Sequence, residues 1–262
     1  MNLHLITFSP THTSLTIAQQ MAEGFAHAED SLLLTDLTLP QSTPSQKEID
    51  GVALFTAPVY GGRVAERAVE RFRSIRAAVP GQTPALVAVL YGNRDYEDAL
   101  IELCDLVREQ GFLPIAAGAF VGEHSYSRPD EGKPVAAGRP DDADCTVARR
   151  FGKQAREKYD QGNTSLPAVR GNRPYKVKGA ATPATPITLA DQCTGCGTCV
   201  EVCPTGVVSL TSEGIAVSTP ENCIKCCACL KFCPSHARRF DTPYTERLFL
   251  HFSTRREPEL FV

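Results

Sequence analysis

Nine of the chain's eleven cysteines lie between Cys193 and Cys233, and eight of the nine form two runs of identical spacing. The first is Cys193, Cys196, Cys199 and Cys203, then Pro204; the second is Cys223, Cys226, Cys229 and Cys233, then Pro234. Both read C-x2-C-x2-C-x3-C-P, inside a longer repeat that opens as Asp191-Gln and returns thirty residues later as Glu221-Asn. Three cysteines at this spacing let a short curling loop aim three thiolates at one face of an iron–sulfur cubane. The fourth, held by the proline that follows, turns away and serves the neighbouring cubane. The spacing therefore predicts one 4Fe–4S cluster on Cys193, Cys196, Cys199 and Cys233, and a second on Cys223, Cys226, Cys229 and Cys203. Structural zinc needs two separated ligand pairs and no third cysteine at even spacing, so two full runs in tandem favour clusters. Gly195 and Gly197 let backbone amides approach the sulfurs, which helps set a cluster's potential. Cys227, directly after a ligand, should point away as filler, and Cys104 and Cys145 are expected to be small buried hydrophobes in helices.

A second concentration of chemistry lies near the N-terminus, in Phe8-Ser-Pro-Thr-His-Thr-Ser14. Hydroxyls from Ser9, Thr11, Thr13 and Ser14 between a strand and a helix N-terminus make an anion site. With no Lys or Arg in the loop, a phosphate monoester suits it better than a nucleoside triphosphate. The plain alternative is a hydroxyl-rich helix cap. Two further loops, Ala57-Pro-Val-Tyr-Gly-Gly-Arg63 and Tyr91-Gly-Asn-Arg-Asp-Tyr-Glu-Asp98, each set an aromatic ring beside glycine. That combination suits stacking on a flat ring while amides meet its polar edge; ordinary amphipathic packing is the alternative for either tyrosine. In the loop from Gly122 to Pro129, Glu123, His124 and Tyr126 are candidate catalytic proton donors, since His titrates near neutrality. The plainer expectation is a loop that covers the rim of the site.

The elements that must position these residues follow from periodicity. Short apolar runs at Asn2–Thr7, Ser31–Leu34, Gly51–Thr56, Pro84–Leu90 and Pro114–Val121 predict strands. Between them, Ser14–Ala28, Ala65–Val79, Glu97–Gly111 and Asp141–Tyr159 predict helices, the first with Leu15, Ala18, Met21, Ala22 and Phe25 on one face. Strands alternating with helices imply a parallel sheet covered on both faces. From Asp160 to Pro186 breaker residues take over, as in Ala180-Ala-Thr-Pro-Ala-Thr-Pro, and the stretch reads as a linker whose Arg170, Arg173, Tyr175, Lys176 and Lys178 are free to pack on either side. A hairpin, Val207–Leu210 with Ile215–Ser218, is expected between the cysteine runs. Lys225, Lys231, Arg238 and Arg239 surround the second run, either to guide an acidic partner or as ordinary surface charge.

Composition narrows the rest. At 262 residues, 42% hydrophobic and 22% charged, the chain is ordinary for a globular protein of two domains. A net charge of −3 argues against nucleic-acid binding. The longest apolar stretch, Phe112 to Val121, is about half of the roughly 20 residues a membrane span needs. Without a basic, apolar leader at the N-terminus, a cytoplasmic location is expected.

In order, Phe8-Ser-Pro-Thr-x-Thr-Ser, Pro58-Val-Tyr-Gly-Gly-Arg, Tyr91-Gly-Asn-Arg-x-Tyr-x-Asp-Ala-Leu, Glu123-His-Ser-Tyr-Ser and Gly171-Asn-Arg-Pro-Tyr, with the cysteine runs, resemble the flavodoxin–ferredoxin fusion ("ferrodoxin") family over nearly the whole chain. The resemblance implies an α/β fold, a flavodoxin-like doubly wound parallel sheet of order 2-1-3-4-5 over residues 1–160. A linker, 161–186, and an α+β bacterial-type two-cluster ferredoxin domain, 187–262, would follow. It implies FMN at the switch point, its phosphate on Ser9, Thr11, Thr13 and Ser14. Pro58, Val59, Tyr60, Gly61, Gly92, Asn93 and Arg94 would line the isoalloxazine, with Tyr60 or Tyr96 stacking on it. Position 12 is His where that family usually has Gly; if the position needs positive φ, His is tolerated there but not ideal. The expected function is electron transfer between two 4Fe–4S clusters and FMN, linking one-electron redox protein partners to a flavin. The alternative is an FMN-dependent reductase of a small molecule, fed by the ferredoxin domain. Whether the chain forms a homo-oligomer is open.

Overall fold

Asn2–Thr7, Val52–Tyr60, Thr83–Tyr91 and Phe112–Val121 are almost unbroken runs of apolar residues, the composition of strands buried on both faces. In the computed structural model, which describes residues 1–42, 44–166, 168–179, 182–240 and 242–262, they form the centre of one sheet. The chain runs β1 (Asn2–Thr7), α1 (Thr13–Phe25), β2 (Ser31–Asp36), β3 (Lys47–Ile49), β4 (Val52–Tyr60), β5 (Arg63–Val64), α2 (Glu66–Phe72), β6 (Ile75–Ala77), β7 (Thr83–Tyr91), α3 (Ala99–Glu109), β8 (Phe112–Val121) and α4 (Asp142–Asp160). It continues β9 (Ile187–Thr188), α5 (Thr198–Glu201), β10 (Val208–Leu210), β11 (Ala216–Ser218), α6 (Ala228–Lys231), β12 (Arg238–Arg239), α7 (Tyr244–Phe252) and β13 (Glu259–Phe261).

The strands β2-β1-β4-β7-β8 pair in parallel in that spatial order, which is 2-1-3-4-5 along the chain and the flavodoxin-like order. Helices cover both faces, as right-handed crossovers between parallel strands require. On one side α1 and α4 bury Ile17, Met21, Phe25 and Phe151 against Leu3, Leu54 and Leu86. On the other, α2 and α3 bury Phe72, Leu100 and Leu103 against Ile6, Phe55 and Val87. The ligand edge of such a sheet lies beyond the C-terminal ends of its strands, where β1, β4, β7 and β8 run into the loops singled out in the sequence.

Three expectations from the sequence are changed in the structure. The helix expected over Ala65–Val79 ends at Phe72: Ser74 turns its hydroxyl back onto the Arg71 carbonyl, and Ile75–Ala77 becomes a strand paired with β3. A sixth strand, β13, adds antiparallel to β8 from the far end of the chain, so residues 259–261 belong to the first sheet rather than to the second domain. The stretch read as a linker packs against α3, as described below; its Pro167, Ala180 and Ala181 lie outside the described residues.

The smaller unit has two antiparallel pairs, β10–β11 at the expected hairpin and β9–β12. Its core is Val208 and Ala216 together with Cys199, Cys203 and Cys229. Cysteines therefore make up much of its interior, a core too small to hold a fold without cross-links or metal. Among the described residues, no helix is long and apolar enough to cross a membrane.

Candidate redox-cofactor site

Each cysteine loop curls through two left-handed residues and then enters a short helix. In the first run these are Gly195 (φ 67°) and Gly197 (φ 79°), before α5. In the second they are Lys225 (φ 56°) and Cys227 (φ 59°), before α6. The repeat thus holds its backbone shape even where glycine is lost, at some strain. Cys227 is fixed by this turn and buried, with its thiol toward the Lys225 carbonyl at 3.6 Å.

The loops enclose two cavities. One is bounded by Cys193, Cys196, Cys199 and Cys233; the other by Cys223, Cys226, Cys229 and Cys203, with Cys227 beside them. The last cysteine of each run therefore faces the cavity of the other run. All are free thiols. Among the described residues, no three or more His, Cys, Asp or Glu gather tightly enough to share one metal ion. Four cysteines lining one cavity, spaced too widely to share a single ion, are a donor set that fits a polynuclear cluster better than one zinc ion. Burial pushes the Cys229 thiol up to about 11, against the pull of Arg238, and raises Cys226 as well. Such sulfurs hold a thiolate charge when a cation takes it up.

At the sheet's ligand edge, β1 ends in the hydroxyl loop. Ser9 is buried; its amide donates to Thr38 Oγ1 at 2.8 Å and its Oγ accepts the Leu15 N–H at 3.0 Å. Ser14, in the first turn of α1, is fully buried and its Oγ has no hydrogen-bond partner. A buried hydroxyl without a partner at a helix N-terminus is costly unless a ligand oxygen meets it. Thr11 and Thr13 flank it, half-buried. His12, between them, has a positive φ, 64°, and lays its ring 4.8 Å from that of Phe232, in the second cysteine run.

Pro58, Val59 and Tyr60 end β4, and Gly61 and Gly62, with φ of 66° and 81°, turn the chain into β5 as a two-residue hairpin. Tyr60 stands beside Ser125 and the second cysteine run: burial, then the Cys226 and Cys227 thiols, push its phenol well above the usual range. Gly92 admits the His124 ring, since a Cβ there would come within 2.5 Å of His124 Cδ2.

Several expected site residues are otherwise engaged. Tyr96 is fully buried, with the Arg170 guanidinium 4.0 Å over its ring and its hydroxyl donating to Glu259 Oε2 at 2.6 Å, so its ring faces are covered. Asn93 spends its amide on the C-terminal segment, donating to the carbonyls of Phe252 (2.6 Å) and Thr254 (2.8 Å). Arg94 pairs with Glu97 at 2.7 Å. Of the proton-donor candidates, Glu123 is paired with Lys231 at 2.8 Å. His124 accepts the Tyr126 N–H at Nδ1, and burial lowers it to about 4, so it is neutral at pH 7 and not the near-neutral titrating group expected. Burial raises the Tyr126 phenol, and its ring packs on Phe240. Arg238, expected at the surface, is buried.

Sequence reasoning missed the residues that join the two halves. Arg71 donates to the Leu37 carbonyl at 2.8 Å and to the Pro204 carbonyl, directly after Cys203, at 2.6 Å. Arg67 reaches Asn222 at 2.9 Å, and Arg128 reaches the Phe240 carbonyl at 2.6 Å. Each pairs segments more than a hundred residues apart, and no local pattern marks them.

Residues 192–238 match the 4Fe-4S dicluster domain family. No match to a curated protein was found. Among solved structures, a flavodoxin from the domain Archaea is 12% identical with a TM-score of 0.40, the match covering 61% of this chain and 99% of that one. Oxidised flavodoxin 1 from Bacillus cereus is 15% identical with a TM-score of 0.42, covering 60% and 98%. The rubredoxin oxygen:oxidoreductase of the anaerobe Desulfovibrio gigas is 11% identical with a TM-score of 0.42, covering 62% and 36%. The sheet order establishes the fold independently of these likenesses.

Proposed function

We propose that the chain holds two 4Fe–4S clusters and one FMN and passes electrons between them, linking one-electron redox proteins to a flavin. The observation that carries this reading is the packing of the cysteine runs on the ligand edge of the sheet, where His12 of the hydroxyl loop lies 4.8 Å from Phe232 and Arg71 donates at 2.6 Å to the carbonyl of Pro204, which lines the second cavity. Cys193, Cys196, Cys199 and Cys233 ligate the outer cluster, and Cys223, Cys226, Cys229 and Cys203 the inner one. The unpartnered Ser14 hydroxyl, with Ser9, Thr11 and Thr13, takes the FMN phosphate. Pro58, Val59, Tyr60, Gly61, Gly92 and Arg94 border the ring, with Tyr60 as the stacking residue because Tyr96 is fully buried beneath Arg170. Bound clusters exchange single electrons, and bound FMN exchanges one or two. The protein's part is to hold these groups close and shielded from water.

The small-molecule reductase reading gains no support from the loop that would serve it. Glu123 is in an ion pair, His124 is neutral at pH 7, and the Tyr126 phenol is harder to ionise than usual. Anaerobic reconstitution followed by iron and flavin analysis tests the proposal. About eight iron atoms and one FMN per chain are expected from two four-iron sites. Zinc in place of iron, or no bound flavin, refutes it.

A further inference from the structure

Arg238 is 4% exposed, yet its hydrogen bonds go to neutral oxygens and to one sulfur. Its pairing partner across β9–β12 is Thr188, which fixes the side chain's direction. The guanidinium donates to the Pro186 carbonyl at 3.1 Å, the Ala216 carbonyl at 3.4 Å and the hydroxyls of Thr188 and Ser218. Its Nη2 also stands 3.9 Å from Cys229 Sγ, in the wall of the second cavity. The same residue lines the first cavity beside Cys199 and Cys233. Its Nε is buried without an acceptor. Among the described residues, no carboxylate forms an ion pair with it. A buried cation with no countercharge is strongly unfavourable, and proteins tolerate one when an anion comes to it.

On the two-cluster reading above, we propose that Arg238 is the shared counter-cation of both clusters, set between them to hold up their reduction potentials. Each cluster gains one negative charge when it takes up one electron. A fixed positive charge in a poorly hydrated interior favours that reduced state. The Nη2 contact with Cys229 acts the same way, because hydrogen bonds to ligand sulfurs stabilise added charge. One residue that lines the first cavity and donates to a sulfur of the second raises both potentials together, so its removal should shift the pair and not a single cluster.

The test uses the reconstituted full-length protein, with iron counted and each cluster's midpoint potential read by electron paramagnetic resonance during a mediated titration. In Arg238→Gln, both midpoints should fall by at least a tenfold change in the reduction equilibrium, which is about 59 mV for one electron. Arg238→Lys, which keeps the charge, should stay close to the parent. Ser218→Asp keeps Arg238 in place and neutralises it with a carboxylate, and should lower both midpoints too. Loss of iron from Arg238→Gln but not from Arg238→Lys also supports the role. Unchanged midpoints in an iron-replete Arg238→Gln or Ser218→Asp protein overturn it, as does equal loss of iron from Arg238→Gln and Arg238→Lys. The parent's own iron count tests the two-cluster reading separately: a parent short of iron defeats that reading, whereas a replete parent with unresponsive variants defeats only this one.

Discussion

Cys203 belongs by sequence to the first cysteine run and by position to the second cavity. Its burial among Cys223, Cys226 and Cys229 makes a specific expectation possible. Replacing it with serine keeps the shape but substitutes a harder, weakly ionising ligand. Cys203→Ser should therefore lose iron from the cavity of the other run, taking the count from about eight to about four. The surviving cluster should respond to a further Cys193→Ser change and not to Cys223→Ser. A surviving cluster that depends on Cys223 would contradict the crossed arrangement. Other residues were less open to inspection at this scale. Tyr60 and Tyr96 both sit in glycine-containing loops in the sequence, but Tyr96 is taken up by Arg170 and Glu259. Asn93 likewise carries a left-handed φ of 62°, as a turn residue would, while its amide holds a segment 159 residues away. Those partners come from distant parts of the chain, and residue type alone does not reveal them.

The segment from Arg170 to Lys178 was the least regular part of the sequence, and it is an ordered strap on the acidic flank of α3. Asp98 accepts the backbone N–H groups of Asn172 at 2.8 Å and Lys176 at 2.6 Å. Asp105 accepts Arg173 through both nitrogens of its fork, at 2.6 and 2.7 Å, and the Tyr175 hydroxyl at 2.6 Å. Arg173 is exposed enough to rehydrate when freed, so Asp105→Ala should cost the strap only about 1 kcal/mol of local stability. That corresponds to roughly fivefold faster tryptic cleavage at Lys176 and Lys178, with the melting of the sheet unchanged, since such cleavage tracks the open population. Unaltered cleavage would mean that the strap is held by Asp98 and the backbone instead. The strap shows what periodicity does and does not convey. Central strands such as β7 and β8 announce themselves because burial on both faces demands continuous apolar residues. Residues 65–79 look helical throughout, yet the chain breaks at Ser74 and pairs Ile75–Ala77 with Lys47–Ile49, a non-local choice. β13 is three residues long and takes its identity from the open edge of β8.

At the level of the molecule, the contacts between the halves converge on the second cysteine run and on Pro204, which lines the second cavity. Phe232 meets His12, Lys231 pairs with Glu123, and Pro204 is held by Arg71. These place the second cavity against the sheet's ligand edge, while in the first cavity Cys196 is exposed to solvent. The arrangement orders the proposed path from outside inward: first cavity, second cavity, then the loop of Tyr60. If that order holds, a protein carrier meets the first run, and its electrons reach the flavin only through the second. Cys226→Ser should then disconnect the path at its middle. The first cluster should still be reduced by a protein carrier, but carrier-driven reduction of the flavin should slow by at least about tenfold, a barrier increase near 1.4 kcal/mol. A small diffusible reductant, able to reach the flavin edge without the clusters, should reduce the variant and the parent at equal rates. Stopped-flow spectroscopy separates the flavin and cluster signals in each case. Equal carrier-driven rates in Cys226→Ser and parent, with iron confirmed lost from the second site, would show that electrons enter at the sheet and that the cysteine runs are not arranged as a relay.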